Sequence, residues 1–401
     1  MASLRKLFRY EQTSGLLMIA AMAVALAVAN SPLKPLYDRV HHTPVHVRFG
    51  ALTIDRPLVE WINEGLMVFF FLLVGLEIKR QFLEGHLSST KCAVLPAVAA
   101  LGGMVAPAAI YGALNWGDPV MLAGWAIPTA TDIVLALGVL SLLGAAVPTA
   151  LKVFLTALAI FDDIGAVLII GLFYGHDLAP YPLAIAGIAT IGLAALNATG
   201  VRQPLAYGAL GLVLWVAMLK SGVAAALAGI LIGFAVPLRT PSCSCPSPLR
   251  EMERRLHPWV TLLVVPLFAF FNAGIVVDTD ALGRIWSPVS LGIAAGLFFG
   301  KQAGVMAAAW LAVKSGIAAL PRAVGWKHVY GAALLAGVGF TMSLFVTTLA
   351  FDDPAVRGGA KLAIILGSLL SATAGIAWLH RAQRGTQTTA SKDCSMPVSP
   401  V

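Results

Sequence analysis

The sequence predicts an all-α integral membrane protein of about twelve transmembrane helices, and three observations lead there. The 401 residues are 59% hydrophobic and only 11% charged, with a mean hydropathy of +0.85; a soluble domain of this length needs far more charge on its surface. The apolar residues come in blocks long enough to cross a hydrocarbon core of about 30 Å at about 1.5 Å per residue. Two blocks also carry a proline or paired glycines at mid-length, as broken helices do.

In chain order the blocks fall near 12–30, 59–84, 94–115, 121–143, 150–174, 182–199, 205–219, 223–237, 257–275, 289–311, 328–350 and 360–380. The first imitates a secretory signal, with Arg5, Lys6 and Arg9 ahead of an apolar run closing on Ala27-Val28-Ala29; the many helices that follow favour a retained first helix. Between the first two spans, residues 45–54 alternate Val45, Val47 and Phe49, then Leu52 and Ile54 across Gly50, which predicts a short β-hairpin on the outer face. The two spans flanking Lys220 are the shortest. Residues 238–256, with Pro241, Pro246, Pro248 and four arginines, read as a linker between two halves. Residues 1–382 form one membrane domain, and 383–401 a polar tail expected to be unstructured.

The net charge of +8 does not point to nucleic acid, because the basic residues are scattered through loops and make no single face. They report orientation instead. With both termini cytoplasmic, 18 of the 27 Lys and Arg fall inside and 8 outside, with Lys301 within a span, as the positive-inside rule requires. The four cysteines, Cys92, Cys243, Cys245 and Cys394, lack metal-site spacing, and no structural disulfide is expected.

A charge at the bilayer centre costs about 2.5–3.5 kcal/mol on insertion scales, so ionisable residues there are functional candidates. Asp132 and Asp163 lie equally far from the outer ends of two antiparallel spans, and Lys301 reaches the same depth, about 16 Å in, from a third. Asp162 and Asp163 are adjacent, about 100° apart on a helix, so one lines a cavity and the other backs it; spacing does not say which. A structural salt bridge is the plainer alternative, but two adjacent carboxylates flanked by Ile160, Phe161 and Ile164 pack helices poorly.

Backbone irregularity is expected at the same depth. Pro128 precedes Thr129-Ala130-Thr131-Asp132, and Gly337-Val338-Gly339 precedes Phe340-Thr341-Met342-Ser343. A broken helix exposes a positive half-helix N-terminus and a negative C-terminus, which Asp132 and Lys301 respectively could neutralise. Residues 94–174 and 289–380 each form a three-helix unit with a broken middle helix, running in opposite senses. Secondary transporters with a midplane site use such an inverted repeat.

Several segments resemble the NhaA-type sodium/proton antiporters: LLVGLEIKR at 72–80, PTATDIVLALG at 128–138, ALAIFDDIGA at 157–166, LKSGV at 219–223, LHPWV at 256–260 and GFTMS at 339–343. Antiporters of this kind are themselves standard examples of inverted repeats, so that architecture and the resemblance are not independent. The resemblance implies that Asp162 and Asp163 bind Na+ and protons in turn, that Asp132 compensates the broken helices beside Thr131, and that Lys301 is the cationic partner near Asp163. It implies a bacterial inner-membrane homodimer joined through 45–54. It further implies an electrogenic, pH-regulated exchanger that exports Na+, and Li+ with it, against inward protons and needs no cofactor.

Glu77, Lys79, Glu253 and His257 stand where the family's pH response resides, but Ala224 replaces a histidine found in some relatives and Gln81 a glutamate, so the activating pH is expected to differ. Two other classes fit less well. A passive channel would carry Na+ without an opposing proton gradient. An intramembrane aspartyl protease also sets two aspartates at equal depth, yet no GxGD-like sequence surrounds either one here. An enzyme is therefore not expected.

Overall fold

The computed structural model describes residues 2–393 except 51, 86, 88, 89, 144–146, 176, 239–246 and 322–323. Cys243, Cys245, Cys394 and the prolines at 241 and 246 lie outside the described residues.

The described residues are mostly helical. Helix α1 (Ala2–Ala29) turns through 113° into the short α2 (Lys34–His41), and the hairpin follows as β1 (Pro44–Phe49) and β2 (Leu52–Pro57). Val47 pairs with Ile54 across the antiparallel register, and Gly50 takes a left-handed φ of 61° at the turn. This is the expected hairpin, three residues longer on its second strand. Lys220 ties it to the bundle by donating to the Thr53 carbonyl at 2.7 Å.

Next come α3 (Leu58–Glu84), α4 (Thr90–Leu114), α5 (Pro119–Thr129), α6 (Ile133–Leu142) and α7 (Thr149–Phe173). They lead into α8 (Pro180–Ala198), α9 (Pro204–Ser221) and the short α10 (Ala225–Ala235). The second half holds α11 (Pro248–Ala273), α12 (Thr279–Arg284), α13 (Pro288–Lys314), α14 (Trp326–Ala336), α15 (Phe340–Ala350) and α16 (Pro354–Asp393). Local chemistry sets many of the boundaries. Asp118 caps α5 by accepting from Val120 and Met121 N–H, with Pro119 at the first helical position, and Ser287 does the same for α13 ahead of Pro288. At the other end of α9, Gly222 supplies a left-handed cap at φ 81°.

Among the described residues, eight helices are long and apolar enough to cross a membrane, and up to eleven spans result if each bent pair is counted as one. Two expectations need correction. The linker is shorter than 238–256, because Ser247 caps α11 and Pro248 starts it, so helix takes in its last nine residues. The segment expected to be unstructured after Gln383 continues α16 as helix to Asp393.

Helix α1 packs on α6 and α11, α4 on α7 and α13, and α16 on α13 and α14. Closest is the contact of α4 with α13. A Cβ on Gly102 would stand 2.4 Å from the Gly304 carbonyl oxygen, so only glycine lets the two backbones meet there. That contact holds the middle of α13, and Lys301 with it, deep inside the bundle.

Candidate ion-binding site

The site is built where two interrupted helices meet. Helix α5 tightens into a 3-10 turn through Pro128, after which Ala130 (ψ 147°) and Asp132 (ψ 99°) are extended before α6 begins. Helix α14 stops at Ala336 and resumes as α15 after Gly337–Gly339, and each pair is bent by 41°. The first break is stitched to the second. Asp132 N–H donates to the Val338 carbonyl at 2.7 Å, and the Thr131 hydroxyl lies 2.8 Å from the Ala336 carbonyl.

Asp132 then caps both resumed helices. Its Oδ1 accepts from Leu135 N–H at 2.9 Å, and its Oδ2 accepts from the N–H (3.0 Å) and hydroxyl (2.5 Å) of Thr341. One buried carboxylate thus faces two positive half-helix ends, as the broken-helix argument anticipated for the N-termini. Lys301 does not play the complementary part at the half-helix C-termini; its ammonium is engaged elsewhere.

That engagement is with Asp162. Lys301 Nζ lies 2.6 Å from Asp162 Oδ2, with both side chains fully buried, and the Thr131 hydroxyl approaches the same oxygen at 2.5 Å. Having one proton, that hydroxyl donates to Asp162 or to the Ala336 carbonyl, but not to both at once. The resemblance had placed Lys301 near Asp163. The structure pairs it with Asp162 because adjacent helical residues point about 100° apart, and the 162 face of α7 is turned to α13. A π-helical turn at Gly296–Gly300 immediately precedes Lys301 and resets the direction of its side chain, an insertion that residue spacing does not betray.

Asp163 is buried, at 3% exposure. Its Oδ1 has no hydrogen-bond partner, nor has Oδ1 of Asp162. Among the described residues, the charges of Asp162, Glu77, Asp132 and Lys301 act on Asp163. Asp132, Thr131, Asp162, Asp163 and Lys301, drawn from three parts of the chain, are therefore brought together as the sequence predicted, and Glu77 of α3 stands close by.

The other residues expected at the pH-responsive end form a separate cluster. Arg80 pairs with Glu253 at 2.8 Å and Arg250 with Glu84 at 2.5 Å, linking α3 to the start of α11. Lys79 caps α10 by donating to the Phe234 and Val236 carbonyls, 2.7 Å each. His257 is half-buried one turn beyond Glu253. Sequence reasoning named Glu253 without its partner Arg80; the adjacent basic pair Lys79-Arg80 was the available signal.

Apolar helices, two of them interrupted around buried carboxylates, are the architecture of a polytopic membrane transporter. Residues 5–379 match the sequence model of the family described as Na+/H+ antiporter 1. The Na(+)/H(+) antiporter NhaA of Shewanella sp. (strain MR-4) is 52% identical over 381 residues, spanning 94% of this chain and 97% of that protein. The NhaA of Shewanella oneidensis is 51% identical over the same coverage. The Na(+)/H(+) antiporter NhaA 1 of Syntrophotalea carbinolica is 51% identical over 95% of this chain and 97% of its own length. The chain belongs to the Na+/H+ antiporter 1 family.

Proposed function

We propose that the chain exports Na+, and Li+ with it, in electrogenic exchange for inward protons, with Asp162 and Asp163 as the carrying pair. The observation that supports this most directly is the pair of orphaned carboxylate oxygens, Oδ1 of Asp162 and Oδ1 of Asp163, both buried and on adjacent residues. Buried acceptors without donors are rare in folded proteins. A proton or a hard cation completes them, and the two compete for the same oxygens. Thr131 adds a hydroxyl oxygen, Lys301 balances the charge of Asp162, and Asp132 holds the broken helices.

In this reading the bundle has twelve spans, counting α10 and each of the pairs α5/α6 and α14/α15 as one. The units α4–α7 and α13–α16 are its inverted repeats, and both termini are cytoplasmic. Rocking of one repeat against the other opens the site to alternate sides. If more protons than Na+ move per cycle, the membrane potential contributes about 2.3 kcal/mol per charge per 100 mV. The Arg80–Glu253 cluster, with Glu77 and His257, sets the pH response, and the hairpin joins two copies through an unpaired strand edge.

Asp163→Asn is the test. It is expected to abolish Na+-induced release of the proton gradient in everted vesicles while the protein inserts normally. Near-wild-type release would overturn the assignment.

A further inference from the structure

We propose that a cavity at the hairpin end of the bundle, remote from the aspartate pair, binds an aminophospholipid, a lipid whose headgroup joins a phosphate to a primary ammonium. The cavity, about 590 Å³, opens between the α4–α5 turn and the N-termini of α13 and α16. Three features define its occupant.

The first is an exposed cation. Arg284 is exposed at the rim and, among the described residues, meets no carboxylate or other side-chain acceptor. A guanidinium at such a rim is a ready ligand for a phosphate monoanion. The second is an acceptor without a donor. Asn115 is 4% exposed; its amide nitrogen donates to the Tyr111 (2.9 Å) and Pro288 (3.2 Å) carbonyls, which leaves Oδ1 with no donor from the protein. Asp118, on the same wall, adds negative charge while its Oδ1 caps α5. An ammonium with N–H groups pairs with the Asp118 carboxylate, beside this buried acceptor. A quaternary choline has no N–H to give, and a glycerol headgroup brings no positive charge to Asp118.

The third feature is the position. Trp116, which lines the cavity, is 84% exposed, and Trp286, next in sequence to the lining residue Ser287, is 76% exposed; exposed tryptophans at helix ends mark the membrane–water interface. Leu114, Val289 and Val356 line the cavity below them, so acyl chains continue from an apolar wall into the bilayer. Arg284 also borders the larger cavity of about 850 Å³ at this end, and a lipid phosphate seated on it would fix α12 against α16.

Delipidated full-length protein in detergent, mixed with dioleoyl phosphatidylethanolamine, phosphatidylcholine or phosphatidylglycerol, separates the possibilities. Native mass spectrometry is expected to show phosphatidylethanolamine retained at least about tenfold better than the other two, with a rise of a few degrees in melting temperature. Arg284→Gln, at an exposed position, is expected to lose that preference. Val356→Trp, which fills the cavity and leaves its charges in place, is expected to lose retention altogether. Equal retention of the three lipids, unchanged retention in Arg284→Gln, or equal stabilisation by free phosphoethanolamine would each overturn the proposal. The readout is lipid retention, so the outcome is independent of whether Asp162 and Asp163 carry Na+.

Discussion

Asp132 and Thr341, 209 residues apart, are joined twice: the Asp132 carboxylate accepts both the backbone N–H and the hydroxyl of Thr341. Since Asp132 also caps α6 through Leu135 N–H, one side chain closes two half-helix termini from opposite halves of the chain. Asp132→Ala leaves buried N–H groups at both termini unpaired, each costing about 1–3 kcal/mol. The melting temperature in detergent should fall further for Asp132→Ala than for Asp132→Asn, which keeps an acceptor oxygen. Thr341→Val, removing only the hydroxyl, should cost about 1 kcal/mol. Equal melting temperatures for wild type and Asp132→Ala would contradict the capping role.

Lys301→Ala strands the buried carboxylate of Asp162. Removing one member of a buried ion pair costs about 3–5 kcal/mol, because the other charge stays uncompensated. Neutralising the survivor should recover part of that loss, so Lys301→Ala with Asp162→Asn is expected to melt above Lys301→Ala alone. A double-mutant cycle on melting temperatures measures the coupling, and strict additivity would speak against the pairing. The same cycle built with Asp163→Asn should show the weaker coupling.

Gly337 sits at the α14–α15 break, where an added Cβ would stand 2.4 Å from both the Leu297 carbonyl oxygen and Ser371 Oγ. Neither atom is the end of a long flexible side chain, so Gly337→Ala forces backbone movement. Overpacking of this kind costs about 1–3 kcal/mol and displaces the break from α13 and α16, which carry Leu297 and Ser371. Vesicle transport and melting temperature should fall together; a variant indistinguishable from wild type in both would show that the break tolerates the added methyl group.

His41, outside the spans, lies 2.6 Å through Nε2 from the Phe271 carbonyl. Burial holds its imidazole below the ordinary value of 6.5, outweighing the opposing effect of that hydrogen bond. The unfolded chain therefore binds this proton more readily than the folded one, and stability rises with pH across the interval between the two values. The contribution is complete above about pH 6.5 and is lost as pH falls through the lower folded-state value. Between about pH 7.5 and 5.5 the wild-type melting temperature should drop more than that of His41→Gln; parallel curves would exclude His41 as the source.

Much of this was legible from residue order. Apolar block length gave the helices, because a lipid core admits only segments that satisfy their own backbone. Alternation around Gly50 gave the hairpin, and rarity of charge gave Asp132, Asp162, Asp163 and Lys301, since each such residue at mid-membrane is costly. Counting along antiparallel spans even gave their common depth. What counting could not give was direction. Whether Lys301 meets Asp162 or Asp163 depends on the rotation of α7 and α13 about their axes, and the Gly102–Gly304 contact and the π turn at Gly296–Gly300 set that of α13. The doubled bond between Asp132 and Thr341 and the orphaned oxygens of Asp162 and Asp163 belong to tertiary structure in the same way. A sequence specifies which groups reach a given depth; only the packing of one helix against another decides which of them touch.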